Sequence, residues 1–226
     1  MQNEWDIIAR SFDSTRQKPW KECLDFIEGK GGTAIDIACG NGRHLIPLCS
    51  KAKHAMGMDF SPEMIKIARE NVEKAGLRNV SLAVGDAISL PFKSDTFDFA
   101  LFIAGLHNIR WKKNRIKALG EVNRVLKDDG EALISVWSKW QDRWRKHFLI
   151  QMFKPWKELG DILVPWKRDG KQVMRFYHLY SMRELKRDVK KAGLKIVKAW
   201  SVKKVSKKYA DNYFVIVKKD IKEVKG

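Results

Sequence analysis

The sequence predicts an α/β fold, a doubly wound and mostly parallel sheet closed along one edge by an antiparallel hairpin near the C-terminus. Three observations predict it. Short apolar runs alternate with amphipathic, helix-like segments from residue 33 onward, the rhythm of strands that reach parallel neighbours through helical crossovers. A glycine-containing turn, CGNG at 39–42, joins the first of these strands to the first of these helices. Near the C-terminal end, two strand-like runs follow one another with no helix between them, as an antiparallel pair allows.

Taken in order, TAIDIA (33–38) is the first strand, and a helical pattern then reaches about Ser50. HAMGMDF (54–60) is the second strand. The segment SPEMIKIARENVEKAG has Ser at the N-cap, Pro at the first helical position and Gly76 as its stop, so it is a helix. VSLAVGDA (80–87) is the third strand. FDFALFIAG (97–105) is nearly all apolar, as a strand covered on both faces should be. A helix is expected from about Trp111 to Leu126, a turn at KDDG, and a fifth strand at EALISVW (131–137). Residues 138–180 show no clean repeat, although five of the nine Trp lie in 137–166. SMRELKRDVKKAG (181–193) resumes as a helix between Ser181 and Gly193, and LKIVKAWSVKK (194–204) with NYFVIVKK (212–219) forms the closing hairpin. With neither a repeat nor a low-complexity linker, the simplest organisation is one domain, 1–226, carrying an N-terminal lid region (1–30) and an insertion at 138–180.

Composition narrows the function classes. Apolar residues make up 44% of 226, enough for a sizeable core. No stretch approaches the roughly 20 apolar residues that span a bilayer, and MQNEWDIIAR lacks a basic-then-apolar signal pattern. The expectation is a soluble cytoplasmic protein with no membrane partner. The cysteines, Cys23, Cys39 and Cys49, are odd in number and none has C-x-x-C spacing, so neither a disulfide framework nor a metal site is expected. The net charge of +18 is unevenly placed. Residues 1–138 hold 20 basic and 18 acidic side chains; residues 139–226 hold 25 and 9. Such a cationic half suits a polyanion, because clustered Lys and Arg release counterions from a phosphate backbone.

DIACGNG (36–42) stands where a glycine loop lets a ligand approach the backbone. No Lys-Ser or Lys-Thr follows it, which excludes a P-loop. Asp59 ends the second strand, where a carboxylate can accept both hydroxyls of a ribose. Asp86 ends the third, where it can accept from an adenine amino group. Together these residues resemble the class I S-adenosylmethionine-dependent methyltransferases, a Rossmann-like fold whose antiparallel edge hairpin is also matched here. One departure is Ala38, where that superfamily usually has Gly. For the cofactor S-adenosyl-L-methionine, the resemblance implies Asp36, Ala38, Cys39, Gly40, Asn41 and Gly42 of the loop. It also implies Asp59, Phe60, Ser61 and Met64 after the second strand, Asp86 and Ala87 after the third, and Ile103 in the fourth. Methylases of exocyclic amines carry Asn or Asp, then Pro-Pro and an aromatic, after the fourth strand. IAGLHNI (103–109) stands there instead, which disfavours that acceptor.

Over nearly the whole chain, the sequence resembles the tRNA wobble-uridine carboxymethyl methyltransferases. The resemblance is carried by EWDIIARSFDSTRQKPWKECLDFI (4–27), IAGLHNI with Arg115 downstream, VW (136–137), VPW (164–166) and RFYHLY (175–180). It implies esterification of the carboxylate of 5-carboxymethyluridine in the anticodon loop of tRNA, and a small zinc-binding activator subunit as a partner. Arg16, His107 and Arg115 are the expected catalytic donors, holding the substrate carboxylate. Trp137, Trp166, Arg175, Tyr177 and His178 are the expected substrate contacts, since single-stranded RNA is read by bases splayed onto aromatic and Arg planes. Trp140, Trp144 and Trp156 are expected to anchor the insertion to the core. Two rival readings are a methyltransferase for a small molecule, such as a quinone precursor, and a methyltransferase-like RNA-binding protein with weak turnover.

Overall fold

A computed structural model describes residues 4–151, 158–168 and 170–220. The strands are, in chain order, β1 (Thr33–Ile37), β2 (His54–Asp59), β3 (Val80–Val84), β4 (Phe97–Ile103), β5 (Leu126–Trp137), β6 (Asp161–Arg168), β7 (Lys171–His178), β8 (Leu194–Val202) and β9 (Asn212–Lys219). The helices are α1 (Glu4–Asp13), α2 (Lys21–Ile27), α3 (Leu45–Cys49), α4 (Pro62–Lys74), α5 (Lys112–Val125), α6 (Arg145–Gln151) and α7 (Met182–Lys191), with one 3-10 turn at Leu106–Asn108.

Seven strands make the main sheet in the order β3-β2-β1-β4-β5-β9-β8. The first five are parallel; β9 runs antiparallel to both β5 and β8. The expected closing hairpin is therefore present, with its second strand lying inside the sheet. Period-two alternation sends successive side chains to opposite faces. Ile35, Ala100, Phe102, Ala132 and Ile134 pack with Leu119 and Val122 of α5 and Leu185 and Val189 of α7. Ala34, Phe99, Leu101, Leu133 and Phe214 pack with Phe26, Leu45, Leu48 and Val72 on the other face. β4 is thus apolar at every position but Asp98, near its start, which accepts from Thr33 N and pairs with Lys127.

α4 begins as its sequence implies. Ser61 Oγ accepts from Met64 N and Pro62 occupies the first turn. Above it, α1 buries Ala9 against Met64 and Ile67, and Arg10 pairs with Glu70 at 2.6 Å. α7 starts with a full capping box between Ser181 and Glu184.

Two regions differ from expectation. KDDG is not a turn outside the fifth strand. β5 already pairs at Leu126↔Phe97 and pairs again at Glu131↔Phe99, so Lys127–Gly130 form an excursion within it. Gly130 is packed so closely that a Cβ there would lie 2.9 Å from Lys127 O. Residues 138–180 are also more regular than expected. They hold α6 and an antiparallel pair, β6 with β7, joined near Gly170 at φ +70°. Trp144 packs beside Phe148, Ile162, Val164 and Leu179 in that region, as an anchor should, and Trp140 is half-buried. Trp156 lies outside the described residues. Among the described residues, no helix is long and apolar enough to cross a membrane.

Candidate active site

The carboxyl ends of β1 to β4, where open α/β sheets hold ligands, open into a cavity of about 460 Å³. One end is built from the loops after β1, β2 and β3. Asp36, Ala38, Cys39, Gly40, Asn41, Asp59, Phe60, Met64, Asp86 and Ala87 line it, with Ile103 from β4. The backbone turns through φ +58° at Ala38, +56° at Gly40 and +82° at Gly42. Asp59 ties this loop to the next: Oδ2 accepts from Gly40 N at 2.8 Å and Oδ1 from Ser61 N at 2.9 Å. Burial raises the Asp59 carboxyl above its usual range in spite of those bonds. Burial, and then the charge of Asp59, raise Asp36 well above its usual value. Asn41 fastens the loop to the N-terminal segment by donating to Asp13 Oδ1 and Arg16 O, both at 2.8 Å.

The other end is aromatic and cationic. Trp137 and Tyr177 stack at 4.7 Å with 6° between planes, and His107 lies 5.3 Å from Tyr177. Trp137 N donates to His107 Nδ1 at 3.0 Å. A backbone N–H can only donate, so Nδ1 is the acceptor and the proton of the neutral ring sits on Nε2. Burial, assisted by the nearby charges of His178 and Arg175, lowers His107 to about 3. It is neutral at pH 7 and offers Nε2–H as a donor. Arg175 is buried, with its guanidinium over Trp166 (4.7 Å), Tyr177 (5.2 Å) and Trp5 (5.6 Å). Arg16 lines the cavity from an exposed position beside Phe12.

Five of the sequence-expected site residues stand elsewhere. Arg115 is completely buried in the inward face of α5, donating to Ile109 O at 3.2 Å and pairing with Glu158. Its place is in the framework behind the 3-10 turn. His178 follows Tyr177 on β7 and so leaves the strand on the opposite side, where Asp161 (2.8 Å) and Glu184 (3.1 Å) take up its two nitrogens. Trp166 donates to Ser11 Oγ at 2.9 Å and backs Arg175 without lining the cavity. Ser61 is spent on the α4 cap and on Asp6, at 2.5 Å. Gly42 abuts Ala68 of α4, 3.4 Å from where its Cβ would stand. Glu158, His178 and Glu184 come close enough to share a cation, but Arg115 and Lys139 already neutralise the two acids.

The cavity also has walls that the sequence reading missed, among them Trp5, Phe12, Arg110 and Asn114. Trp5 and Phe12 carried a signal. Seven residues apart, they share one face of α1.

The family described as "Methyltransferase domain" matches residues 34–130. A Xenopus tropicalis protein named tRNA (carboxymethyluridine(34)-5-O)-methyltransferase is 37% identical over 140 residues, 61% of this chain and 21% of its own length. A Schizosaccharomyces pombe protein of that name is 30% identical over 240 residues, 96% of this chain and 94% of its own. The chain thus spans about a fifth of the first relative and nearly all of the second. Among solved structures, a complex of the Haloferax volcanii Trm112 methyltransferase activator with a methyltransferase contains a chain that matches with a TM-score of 0.68. The identity is 17%, over 97% of this chain and 99% of that one, a likeness of fold.

Proposed function

The chain belongs to the family of tRNA carboxymethyluridine methyltransferases, and from that premise we propose that it methylates the carboxylate of 5-carboxymethyluridine at the wobble position of tRNA, using S-adenosylmethionine. The supporting observation is one continuous cavity with a cofactor-like end and an aromatic, cationic end that lacks a strong base. The cofactor fits the first end: a left-handed loop brings backbone to the ligand, Asp59 ends β2, Asp86 follows the neighbouring β3, and Phe60 presents a ring that is 59% exposed. When bound, it supplies an electrophilic methyl group on a sulfonium.

The residues of this chain set what the acceptor can be. An amine or hydroxyl must lose a proton as it is methylated. His107, neutral and lowered to about 3, is a poor proton acceptor at neutral pH. Of the acids that line the cavity, Asp36 and Asp59, the two that burial raises, lie at the glycine-loop end, and Asp59 is engaged by two backbone N–H groups. A carboxylate, with a pKa of about 4, is already ionised and needs no base. What remains is to align oxygen, methyl and sulfur in a nearly dry pocket, to which orientation contributes most. His107 Nε2–H can hold one carboxylate oxygen without placing a full charge on the attacking one. Arg16 and the α1 segment, latched to the loop through Asn41, act in this reading as a lid.

The reading places tRNA against the basic half of the chain, where α7 presents Arg183, Lys186, Arg187, Lys190 and Lys191, and places the enzyme in the cytoplasm. It keeps the single-domain organisation with the insertion on the substrate side, and it includes an activator subunit, supported by the Haloferax volcanii likeness. The test is transfer of labelled methyl to tRNA that lacks the modification, followed by mild alkali. Label that enters and is then released as an ester supports the proposal. Label that resists alkali rules out the carboxylate, and no label even with an activator present rules out the tRNA reaction.

A further inference from the structure

Three basic side chains other than histidine are buried among the described residues: Arg115, Lys139 and Arg175. Two have acids, Glu158 for Arg115 and Glu184 for Lys139. Arg175 has none. Among the described residues its guanidinium makes no hydrogen bond or ion pair, and Nε is buried without a partner. A buried charge without compensation is strongly unfavourable. Three aromatic faces recover part of that through their quadrupoles and hold the group in place without neutralising it. Such a cation is poised for an anion that arrives from outside, and Arg175 lines the cavity beside His107 and Tyr177.

We infer that Arg175 is the receptor for the substrate carboxylate, an inference that rests on the reaction proposed above. A planar guanidinium can direct two N–H groups at the carboxylate oxygen that does not attack, a fixed fork that an ammonium lacks. A protein acid in the same position would compete with the substrate, whereas Trp5, Trp166 and Tyr177 exclude water and leave the fork open. The chemistry then gives the pair a second use. As the O–CH₃ bond forms and the C–S bond breaks, carboxylate becomes ester and sulfonium becomes thioether. Both charges vanish and no proton moves. The product has lost the charge that Arg175 bound, so the same residue favours substrate over product and assists release.

The test is equilibrium binding of an anticodon stem-loop bearing 5-carboxymethyluridine, compared with the same RNA bearing the uncharged carbamoylmethyl amide, on the full chain. Wild type is expected to prefer the acid by about tenfold or more, the scale of a charge-assisted bond. Arg175→Gln should bring that ratio close to one while leaving S-adenosylmethionine affinity unchanged, which also reports that the variant folds. Arg175→Lys, which keeps the charge and loses the fork, should fall between and serves if the Gln variant does not fold. A wild-type acid preference that survives undiminished in either variant overturns the role of Arg175 alone. No preference in wild type overturns the proposed reaction together with it.

Discussion

Ala38 holds a left-handed backbone, φ +58°, at a point where a Cβ is disfavoured by about 1–2 kcal/mol. Its methyl also fills the space facing Gly105, where an added Cβ would lie 2.5 Å from Ala38 Cβ and 2.6 Å from the Phe102 ring. Ala38→Gly should therefore raise stability by up to about 1 kcal/mol in urea denaturation, part of the strain relief being offset by a freer unfolded chain. Gly105→Ala should cost about 1–3 kcal/mol as an overpacked contact, and adding Ala38→Gly should recover only the share due to Ala38. His107 gives a pH dependence. Its folded value near 3 lies below the ordinary 6.5, so unfolding takes up a proton in that window. The stability it contributes is complete above about 6.5 and is lost as the pH falls toward 3. Between pH 7 and 5 that loss is about 2 kcal/mol. His107→Asn keeps an acceptor for Trp137 N but cannot titrate, so its stability should fall less over the same range by about that amount.

At the scale of elements, α4 and α1 share a fastening. Ser61 caps α4 at Met64 N and donates to Asp6 of α1. Ser61→Ala should cost about 1–2 kcal/mol, the upper range of a lost cap, and should weaken cofactor binding by loosening the segment over the loop; calorimetry with S-adenosylmethionine would show it. Most elements of the main sheet were legible in the sequence because local chemistry and tertiary packing agree there. Ser61-Pro62 and Ser181 with Glu184 mark real helix starts, and β4, apolar but for Asp98, is covered on both faces. The β6–β7 pair was not. Its aromatic and basic residues drew attention to recognition, while the Asp169-Gly170 pair between two strand-length runs, a common hairpin signal, went unread. The site was legible by position along the chain and less so by direction. Arg175 and Tyr177, two apart on β7, both reach the cavity, whereas His178 between Tyr177 and Leu179 turns away. Arg115 shares the buried face of α5 with Ala118, Leu119 and Val122. Its charge suggested function, but its helical phase makes it part of the frame.

At the scale of the whole molecule, the basic half should set how tRNA binding responds to salt. Each phosphate contact contributes a slope of roughly −0.7 to −0.9 in log affinity against log salt. Replacing Lys186, Lys190 and Lys191 together by Glu should weaken tRNA binding and flatten that slope by about 2–3, leaving the affinity for S-adenosylmethionine as it was; a titration across potassium chloride concentrations measures both. The placement of β9 has a consequence of another kind. It lies between β5 and β8, and Ser138 Oγ reaches Tyr213 OH across 75 residues of chain. On a ribosome, the five parallel strands that carry the glycine-loop end of the cavity are complete long before the strand that covers the outer side of β5. At about 5–20 residues per second, β5 waits roughly 4–15 s with its edge unpaired. A half-made chain is therefore a five-stranded parallel sheet with an open flank, able to pair with a neighbour on the same message. The hazard of misassembly is set less by final stability than by that interval, which slows with every rare codon between Ser138 and Asn212.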